Sequence, residues 1–425
     1  LKDNLVLFLS RADGKKDKNT LYSCIISKDG KQEKPEEVDV INIKKKSNAG
    51  SFQIYLSEDK AKFLIVHQEM YEKKGYEKFN YKMFTEKLEL VWEKPMELPY
   101  KDNAFSVGRC RIDEEGNVFV LGTIEVAKKA VQYKMFAYYF KKDKLEEVDV
   151  NFAKAYAVSN LQFNYINGSL VFVGFYKDSK KPVLQGIIYT KINSKTLETE
   201  ISKTSAFTKK DLAKFTTEKK AAKAKGVTPT FVIRDLLVSP NGDLKIVSEI
   251  YYVQVIQNQS ASRGANLGGL TLSVNLNSNT YIYYYLNIMV VNIDNQGEIK
   301  WVCNVPKMQI SKNDEGAYSS YILAYSNNKM YFVYNDNPKN TSPKTKEAKR
   351  GSYRADTQKI NKLAVTLATV DEEGRVNTEM FFKSKNEGKT ALKPKLYARF
   401  RQDNILIHAV KGKTYKFGFL NIRKA

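Results

Sequence analysis

A chain of 425 residues with 70 Lys and Arg against 47 Asp and Glu carries a formal charge of +23 and has room for a large buried core. Ten prolines and 22 glycines are too few for a fibrous or disordered protein, and no run reaches the ~20 apolar residues of a membrane-spanning helix. The aromatic balance, 27 Tyr and 22 Phe against 2 Trp, favours β-structure, because Tyr and Phe suit a pleated, half-buried surface.

Along the chain one apolar run recurs seven times. It reads Leu5-Val-Leu-Phe8, Phe63-Leu-Ile-Val66, Val118-Phe-Val-Leu121, Leu170-Val-Phe-Val173, Leu244-Lys-Ile-Val247, Met330-Tyr-Phe-Val333 and Ile405-Leu-Ile-His408. Polar turns such as Asp113–Asn117, Asn167-Gly168 and Pro240-Asn-Gly242 precede it and supply the positive φ of tight hairpins. Near-continuous apolar runs mean strands covered on both faces. The first four starts lie 58, 55 and 52 residues apart (5 to 63, 63 to 118, 118 to 170), close to the period of about 40–50 residues that marks propeller blades. Further strand patterns follow each run, including Phe79–Phe84, Gln132–Phe140, Val183–Ile192 and Leu363–Val370. The outer strands carry charge at matching places, Glu36–Asp39 and Glu146–Asp149. These read as solvated edges that block sheet-to-sheet aggregation rather than as acid–base pairs.

Phe231–Lys307 shows the whole repeat, with strand patterns at Phe231–Val238, Leu244–Tyr252, Tyr281–Ile293 and Glu298–Val305. Four antiparallel strands in a meander are one propeller blade. The expected fold is therefore an all-β propeller of seven four-stranded blades, forming a single domain over residues 1–425. Repeat one lacks a strand before its apolar run and repeat seven lacks a fourth strand, so a six-bladed count follows if these two merge. Three insertions interrupt the rhythm. Thr208–Gly226 holds seven lysines and the capping-box spacing Thr208…Asp211, which predicts one short helix. Gln257–Thr280, rich in Asn, Ser and Gly, predicts a loop. Asn337–Lys362, with eight Lys or Arg, predicts a basic loop.

Reactive constellations are scarce. The two histidines, His67 and His408, fall at matching places and read as structural. Cys24, Cys110 and Cys303 each lie in a strand pattern without a C-x-x-C pair, which predicts buried free thiols. Lysines 15, 16 and 18 oppose Ca²⁺ binding by Asp13, Asp17 and Asn19. Gly388-Lys-Thr390 ends like a phosphate loop, but Pro394 prevents the helix that such a loop requires. No catalytic residue, metal or cofactor is expected. The tyrosines at 251, 252 and 281 to 285 suit packing between blades, or stacking on sugars or bases. Dispersed lysines, without a concentrated stripe, argue against nucleic acid.

One region resembles a known group. Arg234-Asp-Leu236, Glu249 with Tyr251-Tyr252, Val290–Asp294, Trp301, Pro306-Lys307, Gln309, Tyr318–Tyr321 and Asn335–Pro338 are together similar to exported β-propellers of Bacteroidetes-type bacteria. The similarity is dense over blades five and six and rests on repeat pattern elsewhere. A role it implies is that of the subunit plugging the periplasmic mouth of the type IX secretion translocon, although it transfers no functional residue. The expectation is thus a non-enzymatic binding propeller of the periplasm or outer-membrane surface, its leader lying outside the numbered chain. Its partner would be a protein, an outer-membrane β-barrel, and it would not span the membrane itself. Arg234, Asp235, Tyr251, Tyr252, Lys344, Arg350 and Arg354 are the candidate contact residues. Charged groups such as Arg234, Asp235 and Glu249 on inner strands must pair or face water in a central channel. The alternative is a propeller that binds or hydrolyses an anionic glycan.

Overall fold

The computed structural model describes residues 5–27, 31–57, 59–127, 130–152, 156–178, 183–228, 230–258, 265–267, 270–272, 278–342, 351–401, 404–411 and 414–422. It is a β-propeller whose described residues form seven main sheets of antiparallel strands taken in chain order; the fifth also gains a short parallel strand, Ala355–Asp356, from within the stretch that builds the sixth. The seven recurrent runs seed one sheet apiece. Leu5–Asp13 opens the first sheet, while Lys62–Gln68, Val118–Ala127, Ser169–Asp178, Leu244–Asn258, Lys329–Asp336 and Asn404–Lys411 are the second strands of the other six. Second strands are paired along both edges and covered on both faces, so polar–apolar alternation disappears. Leu64, Ile65, Val66, Phe119, Leu121, Phe172 and Val173 are accordingly all buried. Among the described residues the terminal sheets, Leu5–Asp13 to Glu36–Asn42 and Thr390–Arg401 to Thr414–Asn421, have three strands each.

Two compact units make up the chain: residues 1–153, 162–172 and 190–202, and residues 154–161, 173–189 and 203–425. In the first unit, Leu64, Met83, Trp92, Phe105, Phe136 and Tyr138 pack together from the second and third sheets. Gly122 is required there, since a Cβ would lie 2.4 Å from the Phe105 ring. In the second unit, Val247, Val290, Cys303, Leu323, Phe332 and Tyr334 join the fifth and sixth sheets. Cys24, Cys110 and Cys303 are free and buried, as expected, and burial pushes the Cys303 thiol up to about 12.

The insertions differ from their expected forms. Two helices, α1 (Lys209–Ala213) and α2 (Glu218–Lys223), replace the single one. Thr208 and Asp211 do form the capping box, but a second helix starts after Thr217 without a side-chain cap, and Leu212 and Ala221 are the buried anchors. The expected loop at 257–280 is shortened from both ends. Leu244–Asn258 and Ser278–Ile293 are strands of 15 and 16 residues, and Ala265–Leu267 pairs with Leu270–Leu272. Tyr, Val and Ile at 251–256 and 281–285 carry the strand propensity past the sheet. Within 337–362, Ala355–Asp356 pairs in parallel with Gln309 and Ile310. Lys344 and Arg350 lie outside the described residues.

Candidate functional site

The fifth sheet assembles an ion network from four separated stretches, and two register shifts shape it. Between Phe231–Val238 and Leu244–Asn258 the pairing slips past Arg234, so that Ile233 faces Ser248 and Asp235 faces Val247. On the next ladder Ile250 stands opposite both Leu286 and Asn287, so that Glu249 faces Ile288 and Tyr251 faces Tyr285. A bulge leaves a residue outside the ladder and re-aims its side chain. The Arg234 guanidinium consequently lies over the Tyr251 ring, 5.1 Å from its centroid, with Nε 3.4 Å from Glu249 Oε2.

Glu249 and Lys307 are both fully buried. Ile299–Val305 and Gln309–Lys312 pair with successive parts of Ser278–Ile293, and Lys307 occupies the corner between them. Its ammonium donates to Glu249 Oε1 at 2.7 Å, Gln309 Oε1 at 2.9 Å and the Tyr285 carbonyl at 3.2 Å, which uses all three donors. Burial holds the Lys307 pKa below the usual lysine value, with Glu249 opposing that shift. Ser320 Oγ donates to Glu249 Oε2 at 2.9 Å, and Ser320 N to Gln309 Oε1 at 2.8 Å. Ser320 holds φ at 75°, a backbone state that costs a non-glycine residue energy and that clusters at functional sites. Gln309 Nε2 completes the network by donating to the carbonyls of Asn335 and Ser320.

Tyr251 and Tyr285 border the network, their ring centroids 4.8 Å apart. Lys395, from the first strand of the seventh sheet, lies 5.0 Å from the Tyr285 ring centroid. Its ammonium donates to the Tyr285 hydroxyl at 2.9 Å and the Glu315 carbonyl at 2.5 Å. The loop 313–320 closes over this ring. At Gly316 (φ 67°) a Cβ would lie 2.3 Å from the Tyr285 ring.

The structure thus unites Arg234 and Tyr251 with Glu249. Asp235 accepts a hydrogen bond from the Tyr321 hydroxyl at 3.3 Å. Tyr252 lies elsewhere, because neighbours on a strand point to opposite faces. It is exposed and stacks on Tyr284 at 4.5 Å. Arg354 is exposed, and its carbonyl accepts from Asn337 Nδ2. Lys395 and Gly316 escaped the sequence reading, since no local pattern distinguishes them from other turn or strand residues.

The first unit holds two further clusters. Asp39 is buried, not a solvated edge charge as expected from Glu36–Asp39. The outer strand of the first sheet presses it against the second, where His67 Nδ1 and Lys82 Nζ lie 3.0 and 2.8 Å from its two oxygens. Glu77, also buried, accepts from Gln68 Nε2 at 2.7 Å and lines a cleft of about 300 Å³ with Asp102. Burial, together with the Asp102 carboxylate, outweighs the Gln68 hydrogen bond and pushes Glu77 up to about 7. A carboxyl raised in the fold is disfavoured once ionised, so stability falls as pH rises from about 4.5 to about 7. Glu77→Gln is therefore expected to be more stable than the parent at pH 8 by about 1–3 kcal/mol, and no more stable at pH 4. Urea unfolding at the two pH values measures this, and an equal difference at both would refute it.

No protein-family model matches the chain, and no curated protein matches it. Several solved structures are similar to it. A polysaccharide lyase, Uly1, is 9% identical over 100% of this chain and 89% of its own, with a TM-score of 0.46. The β-propeller domain of the Trilobed protease from Pyrococcus furiosus, of open velcro topology, is 10% identical over 100% and 93%, with a TM-score of 0.44. The α-L-arabinofuranosidase Arb93a from Fusarium graminearum, in a mutant form, is 8% identical over 89% and 94%, with a TM-score of 0.37. The expectation of a non-enzyme is corrected here, since a lyase and an arabinofuranosidase are among these similar structures. That expectation rested on scarce histidine, whereas tyrosine, lysine, arginine and carboxylate are the titratable groups gathered in the fifth sheet.

Proposed function

We propose that this propeller docks a protein partner through the projecting hairpin of its fifth sheet. A single observation supports the reading. Leu244–Asn258 pairs with Phe231–Val238 only as far as Ile250, and Gln309–Lys312 reaches only Ile282 on the other strand. Beyond these points the hairpin continues to the Asn258–Ser278 pair. Its edge from Tyr252 onward faces no neighbouring strand among the described residues. Tyr252, Val253, Val255, Ile256 and Tyr281 are all exposed, and 251–258 contains no charge. Lysines and bulges ordinarily protect a free strand edge, and an unprotected apolar one accepts an added strand. The resemblance in the sequence nominates an outer-membrane β-barrel in the bacterial envelope as that partner.

The experiment compares the native protein with a Val255→Lys, Ile256→Glu variant in pull-downs from detergent-solubilised envelopes. Stoichiometric recovery of a β-barrel protein by the parent, lost in the variant at unchanged melting temperature, is the expected result. Recovery of the parent as a lone monomer would overturn the reading.

A further inference from the structure

At the base of the same hairpin, independently of that docking reading, lies a second arrangement of groups. Arg234 is held from two sides, by Tyr251 beneath its guanidinium and Glu249 beside Nε. Its side chain is 33% exposed, and its guanidinium donates no hydrogen bond among the described residues. Glu249 does not neutralise it alone, because the same carboxylate is bound at 2.7 Å by the buried Lys307. Lys395 stands on the other ring of the Tyr251–Tyr285 pair and makes no ion pair among the described residues. Asp314, Glu315 and Glu249 attract it from nearby, yet burial and then the charge of Arg234 dominate and lower its pKa. The two cations thus stand on the two rings of one pair, whose centroids are 4.8 Å apart, over a hydrogen-bonded support. Such a support keeps a guanidinium fork aimed without further loss of side-chain freedom.

We propose that Arg234 and Lys395, mounted on the adjoining rings of Tyr251 and Tyr285, bind the carboxylate of a small organic acid. The planar fork of an arginine matches the two oxygens of a carboxylate, and the lysine supplies a second, point-like charge. An anion held by both cations offsets their mutual repulsion.

Sodium D-glucuronate is the probe, with D-glucose as a neutral control of the same ring size and sodium sulfate as a control for bare charge. Calorimetric titration of the full chain is expected to show glucuronate binding at a concentration where glucose and sulfate give no signal. Arg234→Gln should weaken binding about tenfold or more, the loss of a charge-assisted, two-pronged contact. Lys395→Gln should weaken it several-fold while the protein remains folded by circular dichroism, which keeps the test valid if the Arg234 variant folds poorly. Absence of glucuronate binding, equal binding of glucose or sulfate, or undiminished affinity in Lys395→Gln would each overturn the proposal.

Discussion

Lys307→Met is expected to destabilise the protein by about 3–5 kcal/mol, the cost of leaving a buried carboxylate without its partner. Both members of the Lys307–Glu249 pair are inaccessible to solvent, so water cannot take the place of the missing ammonium. Ser320 Oγ would remain on Glu249 Oε2, and Arg234 Nε, at 3.4 Å, is too far and too poorly aligned to replace a 2.7 Å contact. The double variant Lys307→Met, Glu249→Leu separates this cost from the worth of the pair. Burying two charges is expensive in itself, so replacing both with apolar side chains of similar size is expected to restore stability to within about 1–2 kcal/mol of the parent. Urea unfolding of the three proteins is the measurement. A single variant as stable as the parent, or a double variant no better than the single one, would show that the pair is not the element holding this corner.

Asp39→Asn should be the next most damaging change, at about 2–4 kcal/mol. The Asp39 carboxylate ties the outer strand of the first sheet to His67 and Lys82 of the second. Burial pushes its pKa up, but the His67 and Lys82 hydrogen bonds outweigh burial and hold it below the usual carboxylate value. A depressed carboxylate contributes stability above its unfolded pKa of 3.8 and loses that contribution as pH falls through the lower folded value. The gap between parent and Asp39→Asn should therefore be full at pH 7 and narrow below about pH 4. Denaturation at both pH values tests it. A gap that is equally wide in acid would mean that shape, not charge, is what Asp39 contributes.

Much of the fold was legible before any coordinates. Seven apolar runs, with turns that require positive φ at Asn167, Gly168 and Gly242, mark seven sheets, and those residues do adopt it. Strand period and turn chemistry are local, so they survive in the bare sequence. The capping box at Thr208 was legible for the same reason, whereas the second helix start at Thr217 was masked by the lysines and alanines around it. The strands on either side were expected, but their ends at 257–258 and 278–280 were read as loop because of the Asn, Ser and Gly content of 257–280.

The candidate site divides along the same line. Arg234, Glu249, Tyr251, Lys307 and Gln309 could be picked out as a conspicuous set, but their mutual distances could not. Asp39 shows the limit most plainly, since a Glu-Glu-Val-Asp run on an outer strand reads as solvated edge until a neighbouring sheet supplies His67 and Lys82. Sequence alone determines where this chain extends and where it turns, because backbone preference and side-chain period act over a few residues. Only the tertiary structure decides which charges become buried partners and which stay available to a ligand. That outcome depends on two bulges, one corner at Lys307 and the approach of Lys395 from a sheet more than a hundred residues further along the chain.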